Sequence, residues 1–275
     1  DAANMASAKT TGVSWAGTVT ANTTNGYIKI KAKAPSITGL MTSYGLALLS
    51  NNQSYTLNNA NNAISSLAAD IGTGSLTFTT ISMLNIGTYD SVTGITAASV
   101  TLSAGGLSDT NDAGITVTSS STLAITNSSG SYDFSGVIAG PIALTKSGAG
   151  TQTLSASNTY TGLTTISGGT LRLGVTGGST NTPLGTTAAG TSISAGGTLD
   201  LNGYTLGTAE ALTINGYGVG SNGALINSSA TTAATYTGAI TVGSASYIGG
   251  AGTMTLSGTV GAASYGLGFV GAGSY

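Results

Sequence analysis

The chain has 275 residues, of which 5% are charged and 40% are hydrophobic, and its formal net charge at pH 7 is −2. With no histidine and no cysteine, it has no imidazole base, no thiolate metal site and no disulfide. Its six Lys and Arg residues form no basic stripe, which argues against nucleic-acid binding. It also lacks a run of about 18 apolar residues, the length that predicts a membrane-spanning helix.

The composition favours strands and turns over helices. Thr, Val and Ile suit the half-buried surface of a strand. The 44 glycines, together with the asparagines, tolerate the positive φ angles of turns. No apolar pattern with a 3.6-residue period is sustained along the chain, so we predict an all-β protein.

The first 59 residues differ from the rest. Residues 26–33 alternate apolar residues with lysines, a pattern that guards an exposed sheet edge. The alternative for these lysines is contact with an anionic polysaccharide or lipid. Residues 36–49 are compatible with a short helix or an irregular segment. We therefore predict an N-terminal cap or junction region over residues 1–59.

From residue 60 onward, short strands recur in which two apolar residues flank one polar residue. Period-two spacing sends both apolar side chains to one face and the middle residue outward. The pairs are Leu76/Phe78, Val100/Leu102, Ile115/Val117, Leu123/Ile125, Ile142/Leu144, Leu171/Leu173, Leu199/Leu201, Leu212/Ile214, Ile240/Val242 and Met254/Leu256.

Repeated phrases indicate that these strands stack in coils. Residues 169–173 match residues 197–201 at an offset of 28, and residues 150–155 match residues 252–257 at an offset of 102. The strands are too short for a thick sandwich, and they suit a solenoid with coils of roughly 20–25 residues that each rise about 4.8 Å. We predict such a β-solenoid over residues 60–275, with coils of variable length.

The clearest motif covers residues 147–174 and continues into the next coil. Its glycines permit corners and its leucines fill a narrow core. Its asparagine is a turn residue that can bond to neighbouring backbone, and its tyrosine covers a corner. The motif residues are Gly150, Leu154, Asn158, Tyr160, Gly162, Gly169, Leu171, Leu173, Gly197, Leu199 and Leu201.

Residues 147–174 resemble the autotransporter-associated β-strand repeat. Their sequence is SGAGTQTLSASNTYTGLTTISGGTLRLG. Residues 184–227 are similar to sequence that follows such repeats, and residues 67–98 resemble filamentous-haemagglutinin-like surface adhesins. The resemblance implies a right-handed parallel β-helix, secreted or displayed on the bacterial outer surface. It implies a structural motif without an active site or cofactor.

Carboxylates are the remaining candidates for chemistry. Asp109 and Asp112 lie in an oxygen-rich, glycine-containing loop that could bind calcium, and the alternative is a solvated turn. A glycosidase needs two carboxyls about 5–9.5 Å apart. Asp200 and Glu210 could meet across coils, although no sequence signal places them together.

The remaining polar features have simple explanations. Arg172 and Lys146 are lone cations that we expect to point outward into solvent. Four asparagines fit the N-glycosylation pattern, which we attribute to chance in a chain rich in Ser, Thr and Asn. They are Asn22, Asn52, Asn127 and Asn227.

We therefore predict a non-enzymatic structural shaft of a bacterial surface adhesin or extracellular fibre, acting by scaffolding and multivalent contact. The alternative is a β-helix protein that binds or cleaves polysaccharide. Expected partners are other copies of the chain, associated head to tail or longitudinally, and surface glycans or cell receptors. Residues 266–275 are apolar and contain no Pro or Lys, so we expect them to pair with a further coil of the same polypeptide or with another copy.

Overall fold

The computed structural model describes residues 19–20, 27–30, 39–50, 52–89, 91–262 and 264–275. Within these ranges the chain is almost entirely strand and turn, with one short 3₁₀ helix at Val219–Ser221. None of the helical structure in the described ranges is long and apolar enough to cross a membrane.

The first sixteen strands are short, and most span two to six residues. They are β1 (Val19–Thr20), β2 (Tyr27–Ile30), β3 (Met41–Leu49), β4 (Tyr55–Leu57), β5 (Ala63–Asp70), β6 (Ser75–Thr79), β7 (Met83–Ile86), β8 (Thr88–Tyr89), β9 (Val92–Thr93), β10 (Ile95–Ala97), β11 (Ser99–Ala104), β12 (Gly106–Asp109), β13 (Ile115–Val117), β14 (Ser121–Ile125), β15 (Ser131–Phe134) and β16 (Ile138–Gly140).

The later strands follow the same pattern. They are β17 (Ile142–Lys146), β18 (Thr151–Leu154), β19 (Thr159–Tyr160), β20 (Thr164–Ile166), β21 (Gly169–Leu173), β22 (Asn181–Thr182), β23 (Gly185–Thr186), β24 (Thr191–Ile193), β25 (Gly197–Asp200), β26 (Thr205–Leu206), β27 (Leu212–Gly216), β28 (Leu225–Asn227), β29 (Ala234–Tyr236), β30 (Ile240–Gly250), β31 (Met254–Leu256), β32 (Val260–Gly261) and β33 (Leu267–Gly271).

The chain forms two compact units. Unit 1 comprises Asp1–Thr126 and Ser135–Pro141, and unit 2 comprises Asn127–Phe134 and Ile142–Tyr275. Each unit is built from parallel ladders in which a strand pairs with a strand one coil earlier. This architecture is a parallel β-solenoid, which confirms the predicted fold class.

Unit 1 has two main ladders. One runs β1–β3–β5–β10–β13–β16, with β2 on β3, β7 on β5 and β12 on β7, and the other runs β4–β6–β11–β14. Inward side chains stack in columns along each ladder. Leu57 lies beside Phe78, Phe78 beside Leu102, and Leu102 beside Leu123. All four are buried, so the core is a stack of apolar layers one strand spacing apart.

Unit 2 has a ladder β17–β20–β24–β27–β30–β32 and a ladder β15–β18–β21–β25–β28–β30–β33. The long strand β30 belongs to both because its first and second halves pair with different neighbours. A third ladder runs β26–β29–β31. Two short antiparallel hairpins, β8–β9 in unit 1 and β22–β23 in unit 2, interrupt the parallel pattern.

The coil length in unit 2 varies, as the absence of a strict sequence period indicated. One column, buried in all its members except Phe269 at its end, has register spacings of 19, 28, 26, 23 and 21 residues. Its members are Gln152, Leu171, Leu199, Leu225, Ile248 and Phe269. Loops of different length therefore leave the ladder while the strands keep their register.

The N-terminal region requires one correction. Residues 41–49 were expected to be helical or irregular, but they form β3, which pairs in parallel with β2 and β5. The second half of β3 is covered on both faces, so residues 45–48 are all buried. Their sequence therefore lacks the apolar–polar alternation that predicts a strand. The cap or junction role of residues 1–59 stays a prediction, since much of that range lies outside the described residues.

Candidate functional site

The motif region is a set of stacked coils in unit 2 whose inward side chains are fully buried. The five motif leucines lie in β18, in β21, and in or directly after β25. Each has 0% exposure. They are Leu154, Leu171, Leu173, Leu199 and Leu201. On β18 and β21, the residues that alternate with these leucines point outward and remain partly accessible. Period-two spacing requires this arrangement.

The sequence offset of 28 is a coil register. Gly169 lies beside Gly197, and Leu171 lies beside Leu199, in the parallel pair β21–β25. The similarity of the two phrases therefore reflects equivalent positions in successive coils. Like residues stack on like residues because each coil offers the same inward space to its neighbour.

The motif glycines lie where coils approach closely. A Cβ at Gly150 would overlap the Asn127 side chain, and one at Gly162 would overlap the Ile142 carbonyl. A Cβ at Gly197 would overlap the Ile166 carbonyl. Gly169 additionally has φ of +62°, a conformation that L-residues other than Asn and Asp rarely adopt.

Asn158 and Tyr160 fill the corner of their coil. Asn158 is fully buried, and its Nδ2 donates to the Pro183 carbonyl at 2.7 Å. The Tyr160 ring is also fully buried, and its hydroxyl shares a 2.7 Å hydrogen bond with the Thr164 hydroxyl. Both side chains thus connect one segment of unit 2 to another, and their structural role stays a prediction until it is tested by mutation.

Asn127 and Asn227 are buried corner residues of unit 2. Each has 0% exposure and each precedes two serines. The Asn227 Nδ2 donates to the carbonyls of Thr232 and Thr253 at 2.9 and 2.8 Å. Its Oδ1 accepts from the backbone N–H groups of Gly203 and Ser229 at 2.8 and 3.1 Å.

Asn127 repeats this arrangement. Its Nδ2 donates to the Thr151 carbonyl at 2.9 Å, and its Oδ1 accepts from the Ser129 N–H at 3.1 Å. Both asparagines bond to a Gly-Thr phrase one coil later, at residues 150–151 and 252–253. The sequence offset of 102 therefore marks a recurring asparagine corner.

Lys146 contradicts the expectation of an outward, solvated cation. It has 0% exposure, and its register neighbours in the same column are Ile166 and then Ile193. Its Nζ donates to the carbonyls of Ser147 and Gly148, at 2.8 and 3.0 Å. A third bond reaches the Gly168 carbonyl at 3.2 Å, so all three ammonium hydrogens have acceptors.

Burial lowers the pKa of Lys146 to about 8. The signal for its position was present in the sequence, because Ile142, Leu144 and Lys146 have the i, i+2, i+4 spacing of a single strand face. The periodicity therefore predicts an inward Lys146, whereas its charge alone predicts an outward one.

Glu210 is a buried carboxyl group in unit 2. Its Oε1 accepts from the Thr191 hydroxyl at 2.6 Å, while Oε2 is buried and has no hydrogen-bond partner in the described chain. The nearby Thr182 hydroxyl donates to the Gly185 carbonyl instead. Burial raises the pKa of Glu210 to about 7, and the hydrogen bond from Thr191 offsets part of that rise.

Asp200 is also buried, but it is fully paired. Its Oδ2 accepts from Arg172 Nε at 2.8 Å and from the Ser228 hydroxyl at 2.7 Å. Its Oδ1 accepts from the backbone N–H groups of Asn202 and Ser228. Arg172, which was expected to be a lone solvated cation, is 35% exposed and forms this ion pair. Asp200 and Glu210 therefore have separate partners, and no described contact joins them as a catalytic pair would require.

Asp109 and Asp112 lie together in unit 1. The Ser135 hydroxyl is 2.9 Å from both Asp109 Oδ2 and Asp112 Oδ1, and the Ser135 N–H donates to Asp109 Oδ1 at 2.5 Å. Among the described residues, no group of three or more His, Cys, Asp or Glu side chains converges on a metal-sized site. The calcium role of the two carboxylates stays a prediction.

Comparison with known proteins agrees with this geometry. Residues 144–173 match the family described as passenger-associated-transport-repeat. The chain is also similar to the adhesin BmaC autotransporter of Brucella suis biovar 1 (strain 1330), with 35% identity over 166 residues, which is 58% of this chain and 5% of that protein. No solved structure matches the chain. The two matches confirm the resemblance to autotransporter repeat adhesins, and the chain spans only a small fraction of the relative's length.

Proposed function

We propose that this chain is part of the shaft of a bacterial surface adhesin, carried in the passenger region of an autotransporter-like protein. The similarity to an autotransporter adhesin and the passenger repeat at residues 144–173 support this proposal. The shaft would lie at the cell surface or outside the cell and would act as a scaffold with multivalent contacts.

One observation carries the proposal: the repeat stacks in register on the next coil. The pairing of Leu171 with Leu199 and then Leu225 extends the same column beyond the matched repeat. A column of this kind grows by adding coils, and each coil contacts only its neighbours. Such a protein gains length without requiring any new kind of core, which is the property a shaft needs.

The proposal is tested by removing one coil. Deleting residues 169–196 removes the 28 residues of one coil and brings Gly197 into the position of Gly169, its register partner. The matched control deletes only residues 169–182, which removes β21 and β22 but leaves β24 behind. Both variants are displayed through a surface anchor, with a reporter binding module at the far end.

We expect the full-coil deletion to fold cooperatively, resist protease and present the reporter, because its strands meet equivalent neighbours. The half-coil deletion should lose protease resistance and reporter display, because its strands meet loops. Circular dichroism and flow cytometry measure these two properties. Equal loss in both variants, or equal retention, would contradict a shaft built from interchangeable coils.

The shaft proposal includes the absence of catalysis. Without His or Cys, hydrolysis would have to rest on carboxylates or on a metal bound through oxygen ligands. We expect no turnover of polysaccharide, ester or peptide substrates by the purified protein. Turnover that disappears in Asp109→Asn or Asp200→Asn would refute the scaffold function and favour the polysaccharide-cleaving alternative.

We further propose that β33 pairs with an additional strand. Among described residues, β33 is hydrogen-bonded to β30 on one side, and it carries Phe269, which is 53% exposed. An open, uncharged strand edge recruits another strand. The added strand would come from a following coil of the same polypeptide or from another copy. Electron microscopy over a concentration series separates the two: particles that stay monodisperse exclude the intermolecular version.

A further inference from the structure

Unit 1 carries a cleft on its outer surface that the shaft function does not use. The cleft is half-open to solvent, has a volume of about 390 Å³, and is lined by residues from β3, β5, β7 and the β8 hairpin, together with the loop after β12. This volume lies in the range of small-molecule binding sites, about 300–1,000 Å³. The flat outer face of a β-solenoid does not by itself create such a concavity.

The floor of the cleft is a row of polar side chains across adjacent parallel strands. Ser66 of β5 lies beside Asn85 of β7, and Ser108 of β12, which lies beside Asn85, continues the row outside the cleft lining. The Ser66 hydroxyl donates to Asn85 Oδ1 at 3.0 Å, and Asn85 Nδ2 donates to the Ser108 hydroxyl at 3.2 Å. The Thr110 hydroxyl also donates to Asn85 Oδ1, at 3.0 Å.

These bonds fix the orientation of the Asn85 amide. They use both lone pairs of Oδ1 and one of the two Nδ2 hydrogens. The second Nδ2 hydrogen has no acceptor among the described residues, so a ligand can engage it, and the hydroxyl oxygens of Ser66 and Thr110 are acceptors beside it. The floor is thus a preorganised group of donors and acceptors.

One wall is built by the β8–β9 hairpin. The hairpin is closed at its base by the Gly94 N–H, which donates to the Gly87 carbonyl at 2.9 Å. Its Tyr89 folds back onto β3, where the phenol ring lies against the backbone of Gly45 so closely that a Cβ at Gly45 would overlap the ring. The glycine therefore provides the space that the tyrosine occupies.

The rim is aromatic and apolar. Tyr44 is 53% exposed and Met83 is 37% exposed, and both line the cleft. Among the described residues, the lining contains no Asp, Glu, Lys or Arg. A charged ligand would lose hydration in this cleft without gaining an ion pair, so the chemistry favours a neutral one.

We propose that this cleft binds a neutral saccharide, either a free sugar or the terminal residue of a glycan. A sugar ring has an apolar C–H face that packs on a phenol ring such as that of Tyr44 or Tyr89. Its hydroxyls both donate and accept, which matches the Asn85 amide and the adjacent hydroxyls. This site goes beyond the proposed shaft function, because it assigns one discrete ligand position and stands whether or not the chain is a shaft.

The test is saturation-transfer NMR on the whole chain with glucose, galactose, mannose and N-acetylglucosamine. Uridine and choline serve as probes for a stacked base and for a cation over an aromatic ring. We expect at least one sugar to bind with a Kd of about 1–10 mM, corresponding to about 3 to 4 kcal/mol. Saturation should concentrate on the C–H protons of its ring.

Three variants locate the binding. Tyr44→Ala removes an exposed ring, and Gly45→Ala adds a methyl group where the Tyr89 ring lies; each should weaken sugar binding at least about fivefold. Tyr265→Ala removes a tyrosine of similar exposure, 50% against 53%, from unit 2 and should leave binding unchanged. Thermal melts show whether each variant is folded. If Gly45→Ala lowers the melting temperature, its loss of binding is not interpreted and the test depends on Tyr44→Ala.

Several results would overturn the proposal. They are the absence of binding by all four sugars at about 10 mM, sugar binding that both cleft variants leave intact, and uridine or choline binding more tightly than every sugar. None of these results bears on the coil-deletion experiment, so the two proposals fail independently.

Discussion

In unit 1, the described core is apolar with neutral polar groups such as Ser43, Asn62 and Thr80. Unit 2 has the same kind of leucine and isoleucine columns, but it also buries Lys146, Asp200 and Glu210. The two units share one architecture, so parallel stacking does not require an entirely neutral interior. It requires that each buried charge be matched by polar groups that the coil itself positions.

The three buried ionisable groups of unit 2 have hydrogen-bond partners to different degrees. Lys146 and Asp200 have acceptors or donors for each charged atom, whereas Glu210 has one oxygen without a partner. The comparison therefore predicts that apolar stacking stabilises both units, while pH sensitivity near neutrality belongs to unit 2.

The largest effect is expected from breaking a leucine column. Leu199→Asp places a charge at a position with 0% exposure, between Leu171 and Leu225 in register. We expect a loss of about 4 kcal/mol or more in the free energy of unfolding. Urea denaturation measures it. The matched control is Leu163→Asp, since Leu163 is 42% exposed, and an unchanged midpoint in Leu199→Asp would show that the register is wrong.

Removing an asparagine corner should cost less. Asn227→Ala leaves two carbonyls and two N–H groups without their side-chain partner, so we expect a loss of about 3 kcal/mol. In unit 1, Asn62→Ala should behave similarly, because Asn62 is buried and bonds to three backbone groups. Asn58→Ala, at an exposed position, is the control and should change the melting temperature little.

Glu210 makes the stability of unit 2 depend on pH. Its pKa in the folded protein is about 7, raised from an ordinary value of 4.5. The folded state therefore holds a proton that the unfolded state releases. The stabilisation is fully present below pH 4.5 and is lost as the pH rises to about 7.

Glu210→Gln removes this titration. Between pH 4.5 and pH 8, the stability of the wild type relative to Glu210→Gln should fall by about 2 to 3 kcal/mol. Urea titrations of both proteins at matched pH values measure the difference. Lys146, whose pKa burial lowers to about 8, titrates in both proteins, so its contribution cancels in this difference. A constant difference between the two proteins would contradict the buried carboxylic acid.

The smallest effect is expected at the Arg172–Asp200 ion pair. Arg172 is 35% exposed, so Arg172→Met should cost about 1 kcal/mol or less. Asp200 keeps the Ser228 hydroxyl and two backbone N–H groups in that variant. Asp200→Ala should cost clearly more, because those donors lose their acceptor. Equal losses in the two variants would show that the ion pair, and not the corner, determines the stability.

The sequence alone predicted the coil architecture because local periodicity and stacking obey the same rule. Apolar residues at i and i+2 must share a face, and recurring phrases indicate equivalent positions, as Leu171 and Leu199 show. The repeat at residues 147–174 indicated a bacterial surface protein by resemblance, and the family match at residues 144–173 agrees with it. Short-range pattern was sufficient here because each coil contacts only its neighbours.

Other features depended on contacts between residues about one coil apart or more. The inward position of Lys146 is stabilised by the Gly168 carbonyl 22 residues later, and β3 forms a strand through pairing with β5. The cleft of unit 1 exists because the Tyr89 ring packs on Gly45, which lies 44 residues earlier in the chain. Loop lengths vary between coils, so the sequence does not reveal which residues become neighbours until the strands are in register. The register of the strands decides which groups the buried charged residues, the hairpins and the corner asparagines contact. That register is determined by the tertiary structure alone.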